Sequence, residues 1–269
     1  MKQPKIRLRG FSGEWKTGRI ENTASLKSGD SFDFRREYRH IYPCYGGNGI
    51  RDYVDIYSHD GCFPIIGRQG ALCGNVTLAK GKFYATEHAV VATTNKSHCP
   101  EFLYYAYTRL NLNQYATGCA QPGLAVFNIN KVKINYPERN EQQAIADYFQ
   151  HLDTLIQSTA KKIESLKQVK AASLQSMFPQ DGETTPRVRF RGFEGEWEKV
   201  LVGAIGTTYS GLSGKTKEDF VFGNARYITF LNVLTNAKID ISILETVYIA
   251  EGERQNEVKK GDLFVCSYG

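Results

Sequence analysis

The sequence predicts an α+β protein in three parts: a globular mixed α/β domain, a long coiled-coil-type helix, and the start of a second copy of the domain. Three observations predict it. Short β-type runs broken by Gly and Pro fill residues 1–139, a stretch of 39 residues without Pro or Gly runs from 140 to 178, and the opening of the chain returns at residue 186. The expected division is 1–139 for the first domain, 140–178 for the helix, 179–185 for a linker and 186–269 for the partial second domain.

In the first domain, β-type runs are read at 51–57, 63–66, 75–78 and 89–93, each bounded by turn residues. Residues 101–115, EFLYYAYTRLNLNQY, have helical spacing, with Phe102, Tyr105 and Leu110 on one side. Between these elements lie three Gly-rich segments: YGGNGIRD at 45–52, GRQGALCG at 67–74 and TGCAQPGL at 117–124. Each sets glycines beside Asn, Arg or Gln. Asn and Gln can pair with adenine through two hydrogen bonds, and Arg with guanine. Plain turn chemistry is the better explanation of any one loop taken alone. The recurrence of one polar character in three loops keeps base recognition open beside it.

The helix at 140–178 starts at Asn140, a favourable N-cap, and Gln143 completes a capping-box pattern. Pro137 and Pro179 bracket it. Ile145, Phe149, Leu152, Ile156, Thr159, Ile163 and Leu166 follow a 4-3-4-3-4-3 spacing, and Leu174 and Met177 extend it. That is a heptad seam. At about 1.5 Å per residue the helix spans about 58 Å, more than the diameter of its own domain. Part of the stripe must therefore meet another helix. The competing reading is a core helix packed on 1–139.

The repeat is the third element. Residues 4–15 read PKIRLRGFSGEW and residues 186–197 read PRVRFRGFEGEW, identical at eight of twelve positions. Such agreement at an offset of 182 residues means a duplicated domain and not a solenoid unit. Beyond the opening the copies diverge, either as drift or as one scaffold carrying two recognition surfaces.

Composition narrows the function. The formal charge of +6 is compatible with a polyanionic partner without requiring one. No run approaches the roughly 20 apolar residues of a membrane span, and the N-terminal MKQPKIRLRGF has no apolar core behind its basic residues. The reading is a soluble, cytoplasmic protein without a membrane partner. The six cysteines form no C-x-x-C pair and the five histidines no H-x-x-x-H pair, so free thiols and no metal are expected, with His98 beside Cys99 structural. There is no phosphate loop, no G-x-G-x-x-G, no G-x-S-x-G and no Asp/Asn/Ser-Pro-Pro-Tyr/Phe tetrad of the amino-methyltransferases. A non-catalytic binding protein without a cofactor is the reading these absences favour together.

The chain resembles the specificity subunit of type I restriction-modification enzymes. The likeness rests on the repeated opening, on YPCYGGNGIRDYV followed by PIIGRQGALCGNV, and on TGCAQPGLAVFNINKVKINYPERNEQQAIADYFQHLDTLI. In that last string, Pro-x-x-x-Glu-Gln and Leu-Asp-x-x-Ile are similar to strings at the family's domain–helix junction. The resemblance implies a target-recognition domain that reads half of a bipartite DNA site, and helices that pair antiparallel and set the gap between half-sites. It implies modification (methyltransferase) subunits as partners and, through them, the restriction subunit, with catalysis residing there. One departure is the second copy, which has 84 residues and no second helix. A homodimer through the 140–178 helix would then supply the missing partner. The DNA-contacting candidates are Tyr45, Gly46, Gly47, Asn48, Gly49, Arg51, Arg68, Gln69, Gly70, Gln121 and Gly123. The helix-packing candidates are Ile145, Phe149, Leu152, Ile156, Ile163 and Leu166. Two alternatives carry different expectations. The recognition part of a fused restriction-methylation enzyme would itself transfer methyl groups, and a coiled-coil adaptor would bind no DNA.

Overall fold

The computed structural model describes residues 3–34, 41–70, 72–118 and 122–266. They divide into two units, the first ending at Lys170 and the second starting at Ala171.

The first unit is built on a six-stranded sheet. Its strands are β2 (Ala24–Ser28), β3 (Tyr42–Gly46), β4 (Gly49–Val54), β5 (His59–Gly67), β6 (Val76–Ala85) and β7 (Ala89–Thr94), in the order β2-β7-β5-β6-β3-β4. Every pairing is antiparallel except β3 with β6. β1 (Lys16–Arg19) pairs separately with β8 (Lys133–Tyr136), and a short α1 (Ile20–Thr23) leads from β1 into the sheet. The strand period of two puts successive residues of β5 on opposite faces. Ile65 packs with Tyr45, Ala79, Phe83 and Val91, whereas Ile66 packs with Ile20, Val90, Phe102, Leu103 and Tyr107. The second face is covered by α2 (Pro100–Arg109), α3 (Val126–Asn130) and the start of α4 (Arg139–Met177). Tyr107 is fully buried, and its hydroxyl is satisfied by the Thr23 hydroxyl at 2.8 Å.

Several sequence expectations shift. The run read at 51–57 stops at Val54, and the one read at 75–78 continues to Ala85, because Gly81 pairs with Gly61 and carries the strand through Lys80 and Lys82. The helical stretch 101–115 is α2 followed by a separate 3₁₀ turn, Leu112–Tyr115, with Asn111 in left-handed conformation (φ +50°) between them. The long helix begins at Arg139, so Asn140 lies inside it and not at the cap. Gln143 does not close a capping box either. Its amide donates to Asp147 Oδ1 at 2.9 Å.

The base of α4 is held by polar contacts. Arg7 Nε and Nη2 donate to the two carboxylate oxygens of Glu141 at 2.8 and 2.6 Å, and Trp15 Nε1 reaches the same carboxylate at 3.3 Å. Gln142 is buried, accepts from the Cys99 backbone N–H at 3.0 Å and donates to the Pro137 carbonyl at 2.9 Å. Farther along, Tyr105 donates to Asp153 at 2.6 Å and Lys80 to Gln150 at 3.2 Å. Of the seam, Ile145 packs against the core, Phe149 touches Tyr105 and Leu152 is half-buried. Every residue from 154 to 172 is exposed, including Ile156, Ile163 and Leu166. The core-helix reading therefore holds only for the first turns.

The second unit contains α5 (Val202–Ile205), α6 (Phe230–Thr235) and an antiparallel pair, β9 (Ala225–Tyr227) with β10 (Glu245–Val247). Among its described residues only Asn232 and Val247 are buried. Its opening repeats the first unit's turn: Arg189 donates to the Gly195 carbonyl at 2.7 Å, as Arg7 does to Gly13 at 2.5 Å.

Candidate nucleic-acid interface

The three Gly-rich segments, far apart in sequence, come together at one end of the sheet. The first is the β3–β4 hairpin, where Gly46 pairs with Gly49 across the two-residue loop Gly47–Asn48, and Gly49 takes φ +86°. Positive φ is cheap only for glycine. The second, between β5 and β6, packs backbone to backbone against that hairpin. A Cβ on Gly67 would run into the Gly47 carbonyl, and one on Gly47 would stand 2.8 Å from the Gln69 carbonyl oxygen. The third is stitched to the second by the bridge between Gln69 and Gly123, by Gly70 N–H to the Pro122 carbonyl at 3.0 Å, and by Leu124 N–H to the Arg68 carbonyl at 2.8 Å. Glycine appears where backbones touch, so no side chain separates the loops.

The hairpin and the second loop enclose an open hollow of about 530 Å³ lined by Gly46–Arg51, Gln69, Gly70, Leu72 and His88. Asn48, Arg51 and Gln69 are exposed there. The Arg51 guanidinium lies over the Phe34 ring, 4.1 Å from its centroid, which orders it without neutralising it. The site therefore offers an amide, a guanidinium and a second amide on a rigid backbone. That inventory can read hydrogen-bonding edges.

Other candidates fall elsewhere. Tyr45 is buried against Phe83 (ring centroids 5.4 Å apart), so its side chain belongs to the core, and its carbonyl accepts from Thr86 N–H. Burial raises its pKa. Arg68 does not line the hollow; its guanidinium turns toward Ser28 Oγ at 3.4 Å and the Glu87 carbonyl at 3.5 Å. Gly123 serves the bridge to Gln69. Gln121, together with Cys119 and His40, lies outside the described residues. Sequence reasoning missed Ile50, Leu72 and His88. Ile50 and Leu72 were inside the quoted strings, but their exposure (48% and 47%) comes only with the fold. His88 arrives from the turn before β7; its Nδ1 is buried with no hydrogen-bond partner, and its Nε2 is 3.3 Å from Glu87.

Among the described residues the thiols are unpaired, and two of them are held protonated by burial. Cys44, Cys62, Cys73, Cys99 and Cys266 are free, and burial pushes Cys44 up to about 11 and Cys62 up to about 12. A high pKa leaves little nucleophilic thiolate. His98 bonds Asn95 Oδ1 at 2.7 Å and packs edge-on against Tyr136. Among the described residues no cluster of His, Cys, Asp or Glu could hold a metal ion, and no helix is long and apolar enough to cross a membrane.

Residues 12–168 match the family described as the type I restriction modification DNA specificity domain. The chain belongs to that family. Within it, the chain is 51% identical over 124 residues to the type I restriction enzyme EcoprrI specificity subunit of Escherichia coli, a match covering 46% of this chain and 31% of that protein. It is 28% identical over 153 residues to a putative type I restriction enzyme specificity subunit of Haemophilus influenzae, covering 55% of this chain and 39% of that one. The matched region thus spans between about a third and two fifths of these relatives. The crystal structure of the type I restriction-modification S subunit from M. genitalium has the same fold over 65% of this chain and 49% of its own, with a TM-score of 0.54 and 21% identity. The family match ends at residue 168, so it takes in the hairpin, the stitched loops and most of α4.

Proposed function

We propose that this chain is a non-catalytic, sequence-specific DNA-binding specificity subunit of a type I restriction-modification complex. It reads one half of a bipartite site in double-stranded DNA and docks modification subunits and, through them, the restriction subunit. It acts in the cytoplasm, where cellular DNA is met. The observation that carries this reading is the hollow between two loops distant in sequence, the second of them braced by a third, which exposes Asn48, Arg51 and Gln69. Basic residues hold phosphates, a term that weakens steeply with salt, and the hollow supplies base discrimination at about 1–3 kcal/mol per good bidentate contact. No cofactor is assigned to the chain. The 140–178 stripe is the spacer and the docking surface, and its exposed Ile156, Ile163 and Leu166 fit antiparallel pairing with the same stripe of a second copy.

The test is methylome sequencing of cells that carry this chain with its modification subunit. The reading requires one split motif with a fixed gap, and Asn48→Ala or Gln69→Ala must degrade preference at individual base pairs of it. Methylation without sequence preference sinks the reading.

A further inference from the structure

The hollow has an apolar side that its amides and guanidinium do not account for. Ile50 and Leu72 line it beside Asn48, Arg51 and Gln69, and both are about half exposed. One exposed aliphatic residue is ordinary. Here two come from loops distant in sequence to one rim, and the backbone holds each in place. Leu72 sits in a turn closed by Cys73 N–H to the Gly70 carbonyl at 3.0 Å, Asn75 N–H to the Leu72 carbonyl at 3.1 Å and Gly74 N–H to the Gly67 carbonyl at 2.8 Å. Cys73 is buried in the core with Ile66 and Leu112, and a Cβ on Gly74 would run into the Asn113 backbone. The turn is pinned from inside, and with Cys73 inward its neighbour Leu72 stands outward. Ile50 follows Gly49, whose φ of +86° sets the hairpin, and pairs in register with Tyr45, itself packed on Phe83. Both side chains are presented on fixed backbone.

The combination matches one base-pair edge. In the major groove an A·T pair shows adenine N7 and the N6 amino group beside thymine O4 and the thymine 5-methyl. A side-chain amide satisfies the adenine half with two hydrogen bonds, and the methyl takes an apolar contact. A G·C pair has no methyl to offer there. A protein partner fits less well. Two apolar residues ringed by two amides and a guanidinium fall far short of the roughly 20–30 residues a side of a stable interface.

We propose that Ile50 and Leu72 form a thymine-methyl contact, so that the hollow reads an A·T pair as a unit, adenine through the amide of Asn48 or Gln69 and its partner thymine through these two side chains. The inference rests on the DNA reading proposed above. It adds two specificity-determining residues and commits the site to a base pair at which thymine and uracil are told apart.

Deoxyuridine makes the test direct, because it removes the 5-methyl and keeps every hydrogen-bonding group of thymine. Each thymine of the methylation-defined site is replaced in turn, and binding by the full chain with its modification subunit is measured at one salt concentration beside a scrambled duplex. At one position the replacement should weaken binding about fourfold, the contribution of one buried methyl. The Ile50→Ala, Leu72→Ala double variant should bind thymine and uracil duplexes alike, still reject the scrambled duplex, and unfold in urea as the wild type does. If no uracil replacement matters while the scrambled duplex is still rejected, the methyl contact is overturned and DNA reading stands. If the wild type accepts the scrambled duplex equally, the reading beneath it falls as well. A uracil effect that persists in the double variant places the methyl elsewhere and overturns the assignment, as does a double variant that loses the modification subunit instead.

Discussion

Gly47→Ala tests whether backbone contact between loops creates the reading surface. An added Cβ would stand 2.8 Å from the Gln69 carbonyl oxygen, where ordinary van der Waals contact begins at 3.4 Å, so the hairpin tip must retreat by the difference, 0.6 Å. The obstacle is backbone and cannot rotate away. Overpacking of this kind costs about 1–3 kcal/mol. The retreat also moves Asn48 and Arg51 relative to Gln69, beyond the roughly 0.5 Å within which a recognition constellation works. Losing one bidentate base contact lowers discrimination by about 1–3 kcal/mol, or roughly five- to 150-fold. Gly46→Ala is the matched control, since its Cβ would meet Arg51 Cβ at an ordinary 3.5 Å. The assay is binding of the methylation-defined duplex against a scrambled duplex at one salt concentration, with urea unfolding in parallel. Gly47→Ala should lose at least about fivefold in the specificity ratio, and Gly46→Ala should keep it. A Gly47→Ala protein within twofold of wild type, or equal damage from both, refutes the reasoning.

Three other outcomes follow from the same contacts. Gln142→Ala strands the buried Cys99 N–H and Pro137 carbonyl, each worth about 1–3 kcal/mol, so urea unfolding should show a loss of about 3 kcal/mol, while exposed Gln157→Ala stays within about 0.5 kcal/mol. Ile156→Glu with Ile163→Glu, both on the exposed stripe, should leave the melting temperature unchanged and abolish self-association in light scattering at micromolar concentration; a wild-type chain that is already monomeric there removes the pairing proposal. The pKa of His98 is lowered by burial first and by Arg139 second, so the unfolded chain binds the proton more readily. Its contribution is complete above the unfolded value of about 6.5 and is lost as pH falls from there through the lower folded value, and a His98→Gln chain should show a flatter stability profile in that window.

The sequence disclosed more of the long helix than of the sheet, for reasons visible in single residues. A 4-3 seam in a stretch free of Pro and Gly has few competing solutions, and the helix begins one residue from where it was placed. The cap was misread because the start is fixed by distant partners. Glu141 is held by Arg7, 134 residues away, and Gln142 by Cys99. Strand β3 escaped notice because it is covered on both faces, Cys44 packing with Val54 and Tyr84, and Tyr45 with Phe83 and Ile65. A strand buried on both sides has no polar alternation to betray it. The same burial removes Tyr45 from the loop residues it accompanies in sequence. Glycine spacing did reveal the three loops. Their convergence was not legible, because it depends on bridges between residues such as Gln69 and Gly123.

The polar character of the helix base has a mechanical reason. A rod of 39 residues reaches about 58 Å, and a tilt of about 5° at its root carries its far end about 5 Å. That exceeds the 3.4 Å or so between successive bases on a strand. A helix seated only on apolar side chains slides and rocks at little cost, since the hydrophobic effect has no direction. Hydrogen bonds lose strength steeply as their angles open. The Arg7–Glu141 fork, the buried Gln142 amide and the Tyr105–Asp153 bond fix the root from three separate segments of the first unit. From residue 154 to 172 every residue is exposed, and stiffness there rests on the helix itself. The proposed spacer role calls for that division, with directional bonds where the angle is set and none along the exposed length.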